Sequence, residues 1–327
     1  MSKPTRWGII GTGSIAKHFA RGLRDTPQAE LVGIGSRNQT TADEFGEMFS
    51  VPLRYPSYGE LANSPEIDAI YISTPHPFHE ENTIMCLEAG KPVLCEKPFA
   101  INSHEAERMV KTARKNKVFL MEAMWSRYLP VMQHVRKWLK QGIIGDVRWV
   151  SADFGFRANF DPLSRLFNPK LGGGALLDVG IYVTSFASFV LGPYPDKIQT
   201  LANLGDTGVD EQNTLLLGYR NGSMAVLSSA VRTETPHEAR IAGTKGNISI
   251  EPPFYRAEKA TLTVDDHSEE IELAINGNGY SYEAIEVGKC LNEGLLESPI
   301  MPLNETVAIM KILDKARAQW GLIYPTE

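Results

Sequence analysis

Glu96-Lys97-Pro98 follows the apolar run Pro92 to Cys95, which reads as a buried strand, so Lys97 is expected to project from a strand end. In an open parallel sheet, ligands bind at the carboxyl ends of the strands. A lysine ammonium placed there can polarise a carbonyl or alkoxide oxygen and help move a proton. Taken alone, Glu-Lys-Pro is a common tripeptide that suits a solvated surface lysine better than a site. Gly11-Thr12-Gly13-Ser14-Ile15-Ala16 closes the first strand and opens the first helix. It has the form G-x-G-x-x-A: two glycines allow a tight turn and close approach to a pyrophosphate, and the small third residue allows helix–strand packing. The helix N-terminus then offers unsatisfied N–H groups to phosphate.

Which dinucleotide is expected depends on the end of the second strand. An NAD site places Asp or Glu about 20 residues on, to bond the ribose 2′-hydroxyl. Here the position falls in Gly35-Ser36-Arg37-Asn38, which contains no acid. The Ser36 hydroxyl and Arg37 guanidinium suit a 2′-phosphate that a carboxylate would repel. NADP is therefore expected, with NAD a weaker possibility, unless Arg37 is only a solvated loop residue.

These groups need a scaffold. Apolar runs at Trp7–Ile10, Glu30–Ile34, Ala69–Ser73, Pro92–Cys95 and Val118–Met121 alternate with helical patterns at 15–23, 41–49, 80–89 and 104–116, with Thr41 as a plausible N-cap of the second. Strands alternating with crossover helices predict a doubly wound parallel sheet. Beyond Glu122, seven strands follow in near succession: 147–156, 198–204, 213–219, 224–231, 239–244, 247–251 and 260–264. Two hairpin turns, Tyr219-Arg-Asn-Gly-Ser223 and Thr244-Lys-Gly-Asn247, predict an antiparallel sheet. A helix at about 175–190 interrupts them, and helices from about Tyr282 and Glu305 end the pattern.

With 327 residues, two domains of ordinary size are expected, divided as 1–122 and 123–327. The net charge of −6 and the lack of clustered Lys and Arg argue against a nucleic-acid partner. No stretch reads as the ~18 apolar residues of a membrane span, so no membrane association is expected. The cysteines, Cys86, Cys95 and Cys290, have no C-x-x-C spacing and read as reduced thiols of a cytoplasmic protein. No His, Cys, Asp and Glu grouping has metal-ligand spacing, so no metal is expected.

The glycine turn, Thr74-Pro75 with His79 beyond it, Glu96-Lys97-Pro98, Glu122, and Gly172-Gly173-Gly174 before Asp178 occur together over nearly the whole chain. In that combination the sequence resembles the glucose–fructose oxidoreductase, inositol dehydrogenase and MocA (Gfo/Idh/MocA) family. Ser73 to His79, Glu122 to Pro130 and Gly174 to Tyr182 are similar to the branch with dimeric dihydrodiol dehydrogenase and NADP-dependent D-xylose dehydrogenase. The resemblance implies an α/β protein: an N-terminal Rossmann domain, then an α/β domain with an open, mostly antiparallel sheet for substrate binding and oligomerisation. It implies that Lys97 is catalytic, often with a cis bond to Pro98. Asp178 and Tyr182 lie at i and i+4 and share a helix face. Much of the family has histidine where this chain has Tyr182, but the branch does not. A phenol titrates near ~10 against ~6.5 for imidazole and would need a neighbouring cation. Otherwise Tyr182 is a core aromatic.

Lys97 and Tyr182 are thus expected to handle the substrate oxygen and its proton, with Asp178 orienting them. Gly11, Thr12, Gly13, Ser14, Ile15, Ser36, Arg37, Thr74, His76, His79, Glu96 and Lys97 are expected around the cofactor. His76 and His79 either border the nicotinamide or satisfy loop backbone. Trp125 and Arg127 are expected to wall the substrate with Tyr182, although Trp125 suits packing between domains as well. The expected activity is NADP-dependent dehydrogenation of a sugar at C1 or a vicinal diol, in a homo-oligomer, dimer or tetramer. A non-catalytic NADPH sensor and a sugar–sugar oxidoreductase that retains its cofactor are the alternatives.

Overall fold

The computed structural model describes residues 3–327 as two compact units. One holds the chain up to Ala100 with His104–Trp125 and Asn276–Thr306; the other holds Ile101–Ser103, Ser126–Ile275 and Val307–Glu327.

In the first unit, β1 (Thr5–Ile10), α1 (Ser14–Leu23), β2 (Ala29–Gly35), α2 (Gln39–Phe49), β3 (Leu53–Tyr55), α3 (Tyr58–Ala62), β4 (Ala69–Ile72), α4 (His79–Glu88), β5 (Val93–Glu96), α5 (Ser103–Asn116) and β6 (Leu120–Ala123) follow in order. The six strands are parallel in the order β3-β2-β1-β4-β5-β6. Every residue of β4, β5 and β6 is buried, as expected where helices cover both faces. Trp7, Phe19 and Tyr71 form the core beneath the glycine turn, with Phe19 stacked on Tyr71 at 3.8 Å. Asn38, not Thr41, is the N-cap of α2: its side chain accepts from Thr41 N at 3.0 Å.

The second unit contains α6 (Pro130–Lys140), β7 (Val147–Gly155), α7 (Ile181–Leu191), β8 (Lys197–Leu204), β9 (Asp210–Gly218), β10 (Met224–Ala230), β11 (Ala239–Gly243), β12 (Gly246–Ile250), β13 (Lys259–Val264) and β14 (His267–Glu272). These eight strands form one sheet in the order β14-β13-β12-β11-β7-β10-β9-β8, antiparallel except for β7 with β10. Val150, Ala152, Leu215, Leu217, Ala225 and Leu227 line its buried face. Pro169–Leu191, whose most apolar 18-residue stretch has a mean hydropathy of 1.7, is long and apolar enough to cross a membrane, contrary to the expectation above. Of that stretch, 83% is buried inside the fold, which is the setting of a core helix.

Two helices complete the chain, α8 (Ser281–Asn292) and α9 (Leu303–Trp320). Residues 276–306 belong with the first unit, so the units do not follow the simple division 1–122 and 123–327. Local polar staples account for this: Asn276 Nδ2 donates to Asp25 O at 3.0 Å, and Asn278 Nδ2 to His18 O at 2.7 Å.

Candidate active site

In the first unit, the glycine turn lies at the carboxyl end of β1. Gly11 has φ +101°, and a Cβ there would lie 2.9 Å from Ser73 Oγ, so both conformation and space require glycine. Gly13 differs: a Cβ would meet nothing within 4 Å, leaving open space in front of α1. That helix has no acid in its first turn and no side-chain cap, so its leading N–H groups can serve a pyrophosphate. Thr12 and Ser14 flank this opening in the turn, and Ile15 follows in the first helical turn. Ser36 is buried, and its hydroxyl bonds Thr41 Oγ1. Arg37 is exposed and forms no ion pair among the described residues. These residues fit a dinucleotide, and the absence of a carboxylate beside Arg37 fits one with a 2′-phosphate.

The ends of β4 and β5 carry the remaining predicted residues of this unit. The Tyr71 hydroxyl donates to Glu96, and Lys97 N donates to Glu96 Oε2 at 3.1 Å. The backbone where Lys97 leaves the strand is thereby fixed, and its bond to Pro98 is cis. Burial, then the Glu96 charge, pushes the Tyr71 phenol well up, so it remains a donor. His79 takes the second of its two expected positions. It is fully buried, with Nδ1 2.9 Å from Pro98 O and Nε2 2.8 Å from Thr74 O. Burial, with the Lys97 charge adding to it, holds its pKa below the usual imidazole range. The ring sits between the Pro98 and Thr74 carbonyls, and in its neutral form it donates to one of them, so His79 satisfies loop backbone here. Thr74 also accepts through Oγ1 from Asn82 at 3.2 Å. His76 is buried edge-on to His79 at 5.8 Å. Trp125 stacks on Tyr280 at 5.1 Å, within the same unit.

In the second unit, Asp178 lies in a π-type turn, Leu176–Gly180, that runs into α7, and Tyr182 is the second residue of that helix. Such widened turns recur at functional sites. Asp178 is buried and accepts from Arg165 Nη1 at 2.6 Å. Tyr182 packs against Phe154 at 5.5 Å and Tyr255 at 5.8 Å, and those two rings stack at 3.9 Å. Burial raises the Tyr255 pKa, with Arg256 opposing it. Arg127 is 3% exposed, with Nε 2.9 Å from Ser185 Oγ and Nη2 2.8 Å from Ser185 O. It anchors α7 one turn beyond Tyr182.

A family model for oxidoreductases with an NAD-binding Rossmann fold matches residues 5–124, and the Gfo/Idh/MocA C-terminal domain model matches 132–249. Over 330 residues the chain is 40% identical to trans-1,2-dihydrobenzene-1,2-diol dehydrogenase of Xenopus tropicalis, covering 98% of this chain and 99% of that one. The chain belongs to the Gfo/Idh/MocA oxidoreductase family. It is 37% identical over 333 residues to trans-1,2-dihydrobenzene-1,2-diol dehydrogenase of Homo sapiens, with 98% of both chains covered. KijD10, a 3-ketoreductase from Actinomadura kijaniata solved in complex with NADP and TDP-benzene, superposes with TM-score 0.85 at 25% identity, covering 96% of this chain and 97% of that one.

Several residues of this Gfo/Idh/MocA chain escaped the sequence reading. Arg165 sits in an ordinary loop, and nothing in its neighbours signals a partner 13 residues on. Phe154 and Tyr255 lie on separate elements that only the folded sheet brings together. Arg157, Asn159, Phe160, Arg232 and Thr233 line a cavity of about 650 Å³ in the second unit. Its Phe160 wall packs edge-on against Phe167 at 5.1 Å, two residues from Arg165.

Proposed function

We propose that the chain is an NADP-dependent dehydrogenase acting on a vicinal diol or on the C1 carbon of an aldose. The observation that carries this reading is the Tyr182 phenol among the rings of Phe154 and Tyr255, with Asp178 four residues before it. Apolar ring faces suit both an arene diol and the C–H face of a sugar. The near full-length similarity to two dihydrodiol dehydrogenases supports the diol. When bound, the nicotinamide supplies the hydride chemistry. Lys97 stabilises negative charge on the substrate oxygen, Tyr182 holds or accepts its proton, and Asp178 with Arg165 fixes the turn before Tyr182. Incubating the protein with NADP and a panel of vicinal diols and aldoses, trans-1,2-dihydrobenzene-1,2-diol and D-xylose among them, tests the reading. Catalytic growth of the reduced-nicotinamide band is expected; cofactor binding with no turnover on any member would leave a sensor.

NADP is favoured over NAD because Arg37 is exposed and unpaired where an NAD site would have an acid. Losing a charge-assisted bond of about 1.5–3 kcal/mol should weaken NADP binding by roughly ten- to a hundredfold in Arg37→Ala, with NAD little affected. Titration of both cofactors checks this, and equal wild-type affinities would contradict it.

The open face of the second unit's sheet supports pairing with a second copy of this chain. Trp149, Leu201, Leu216, Met224 and Val226 are exposed there, and Met224 lies opposite Trp149 while Val226 lies opposite Leu216. Such a contiguous apolar patch marks an interface. Sedimentation should show a dimer or larger assembly, and a monomer at micromolar concentration would rule it out. A cytoplasmic setting accords with the three buried free cysteines, of which burial pushes Cys86 and Cys290 up to about 12. A tagged chain fractionating with a membrane or an exported pool would refute that placement.

A further inference from the structure

The turn that carries Asp178 begins at Leu176, and a distant side chain satisfies its first N–H. Leu176 N donates to Asp210 Oδ2 at 2.8 Å, and Asn213 Nδ2 donates to the same oxygen at 2.7 Å. Asp210 opens β9 and is fully buried. Its other oxygen, Oδ1, has no hydrogen-bond partner among the described residues. Oδ1 presses on Gly174, where a Cβ would lie 2.3 Å away and where φ is +115°. The last glycine of the Gly-Gly-Gly run is therefore the one that makes room for this carboxyl. Tyr324, from the segment after α9, donates to Gly173 O at 2.7 Å. Among the described residues, the groups facing Asp210 are thus Asn213 on its own strand, Leu176 and Gly174 on the turn, and the Tyr324 phenol, which burial and then the Asp210 charge push well up. None is a cation.

A carboxyl in this setting is costly to bury for structure alone, because an amide could accept the same two bonds without a charge. We infer that Asp210 is a positioning residue for the proposed dehydrogenation, fixing the start of the turn that carries Asp178 and leads into Tyr182. This rests on the roles proposed for those two residues. Burial without a counter-charge raises the Asp210 pKa to about 7, against hydrogen bonds from Asn213 and Leu176 that act the other way. Above that pH the ionised carboxylate holds Leu176 N–H by a charge-assisted bond; below it the neutral acid holds the turn more weakly. Activity should therefore gain as pH rises through about 7. Stability should move oppositely. A carboxyl with a raised folded-state pKa binds its proton more tightly in the native chain, so its stabilisation is full in the acid range and is lost as pH rises through about 7.

The test compares Asp210→Asn, Asp210→Ala and Tyr182→Phe with the wild type, using NADP and trans-1,2-dihydrobenzene-1,2-diol or the fastest aldose of the panel. Asp210→Asn should keep the fold and NADP affinity, and lose the limb near pH 7 from both the kcat profile and the thermal midpoint. Asp210→Ala should lower kcat by roughly tenfold to a hundredfold with NADP affinity unchanged, the scale of a displaced reacting group. An Asp210→Asn variant with both pH limbs unaltered would overturn the inference, whether or not Asp210→Ala folds. If Tyr182→Phe leaves kcat unchanged, the catalytic reading itself fails; if it is impaired while both Asp210 variants match the wild type, only the positioning role fails.

Discussion

Lys97→Met is expected to remove most of kcat, by roughly 10²–10⁴, while leaving NADP affinity and the thermal midpoint near those of the wild type. The magnitude is that of a group stabilising developing charge and assisting a proton transfer. The selectivity follows from where the residue sits. Lys97 leaves the end of β5, whereas the phosphate cradle is built at the end of β1 from Gly11, Gly13 and the α1 terminus. The anchoring bond to Glu96 is made by the Lys97 backbone, which methionine keeps. Methionine also retains the length and apolar stem of the side chain, so half-buried packing should survive. Initial-rate kinetics together with cofactor titration measure both quantities. A variant that turns over a confirmed substrate at near wild-type rate would make Lys97 structural.

Tyr182 permits a sharper contrast, since two substitutions separate its two possible roles. Tyr182→Phe should lower kcat by roughly 10²–10⁴ if the phenol carries the proton. The ring remains, so its packing on Phe154 and Tyr255 and the thermal midpoint should barely change. Tyr182→Ala should additionally destabilise the second unit by about 3–5 kcal/mol, the cost of emptying a buried aromatic site. A side chain that served only the core would reverse the order for catalysis, with phenylalanine silent. Measuring kcat and thermal midpoint for both variants distinguishes the cases. Unaltered kcat and an unaltered pH–rate profile in Tyr182→Phe would leave Lys97 as the only proton-handling group.

The parallel sheet was legible because strands buried on both faces read as apolar runs, as Ala69–Ile72 and Val93–Glu96 do. Elements without that signature escaped. β3 has three half-buried residues, and β14, His-Ser-Glu-Glu-Ile-Glu, offers one apolar side chain on a charged sheet edge. The amphipathic helix α6 was hidden because its Pro130 start was read as part of a motif. At the site, residue types located Lys97, Asp178 and Tyr182, but not what holds them. The loop-backbone alternative for His79 fits its carbonyl neighbours, and Arg127, singled out for its place at the start of the second domain, bonds Ser185. Asp210 was passed over because the strand was started at Asn213, three residues late. Side-chain partnerships across 58 or 34 positions leave no local pattern to read.

The most direct test of the central claim is a time course of reduced-nicotinamide absorbance. Wild-type protein would be mixed with a large excess of NADP and either trans-1,2-dihydrobenzene-1,2-diol or an aldose. The account predicts reduced cofactor accumulating to many equivalents per chain, with NAD much less effective. A rise that stops at one equivalent would mean the cofactor is retained between turnovers. No rise with any diol or aldose, despite tight NADP binding, would contradict the assignment as a dehydrogenase of these substrates.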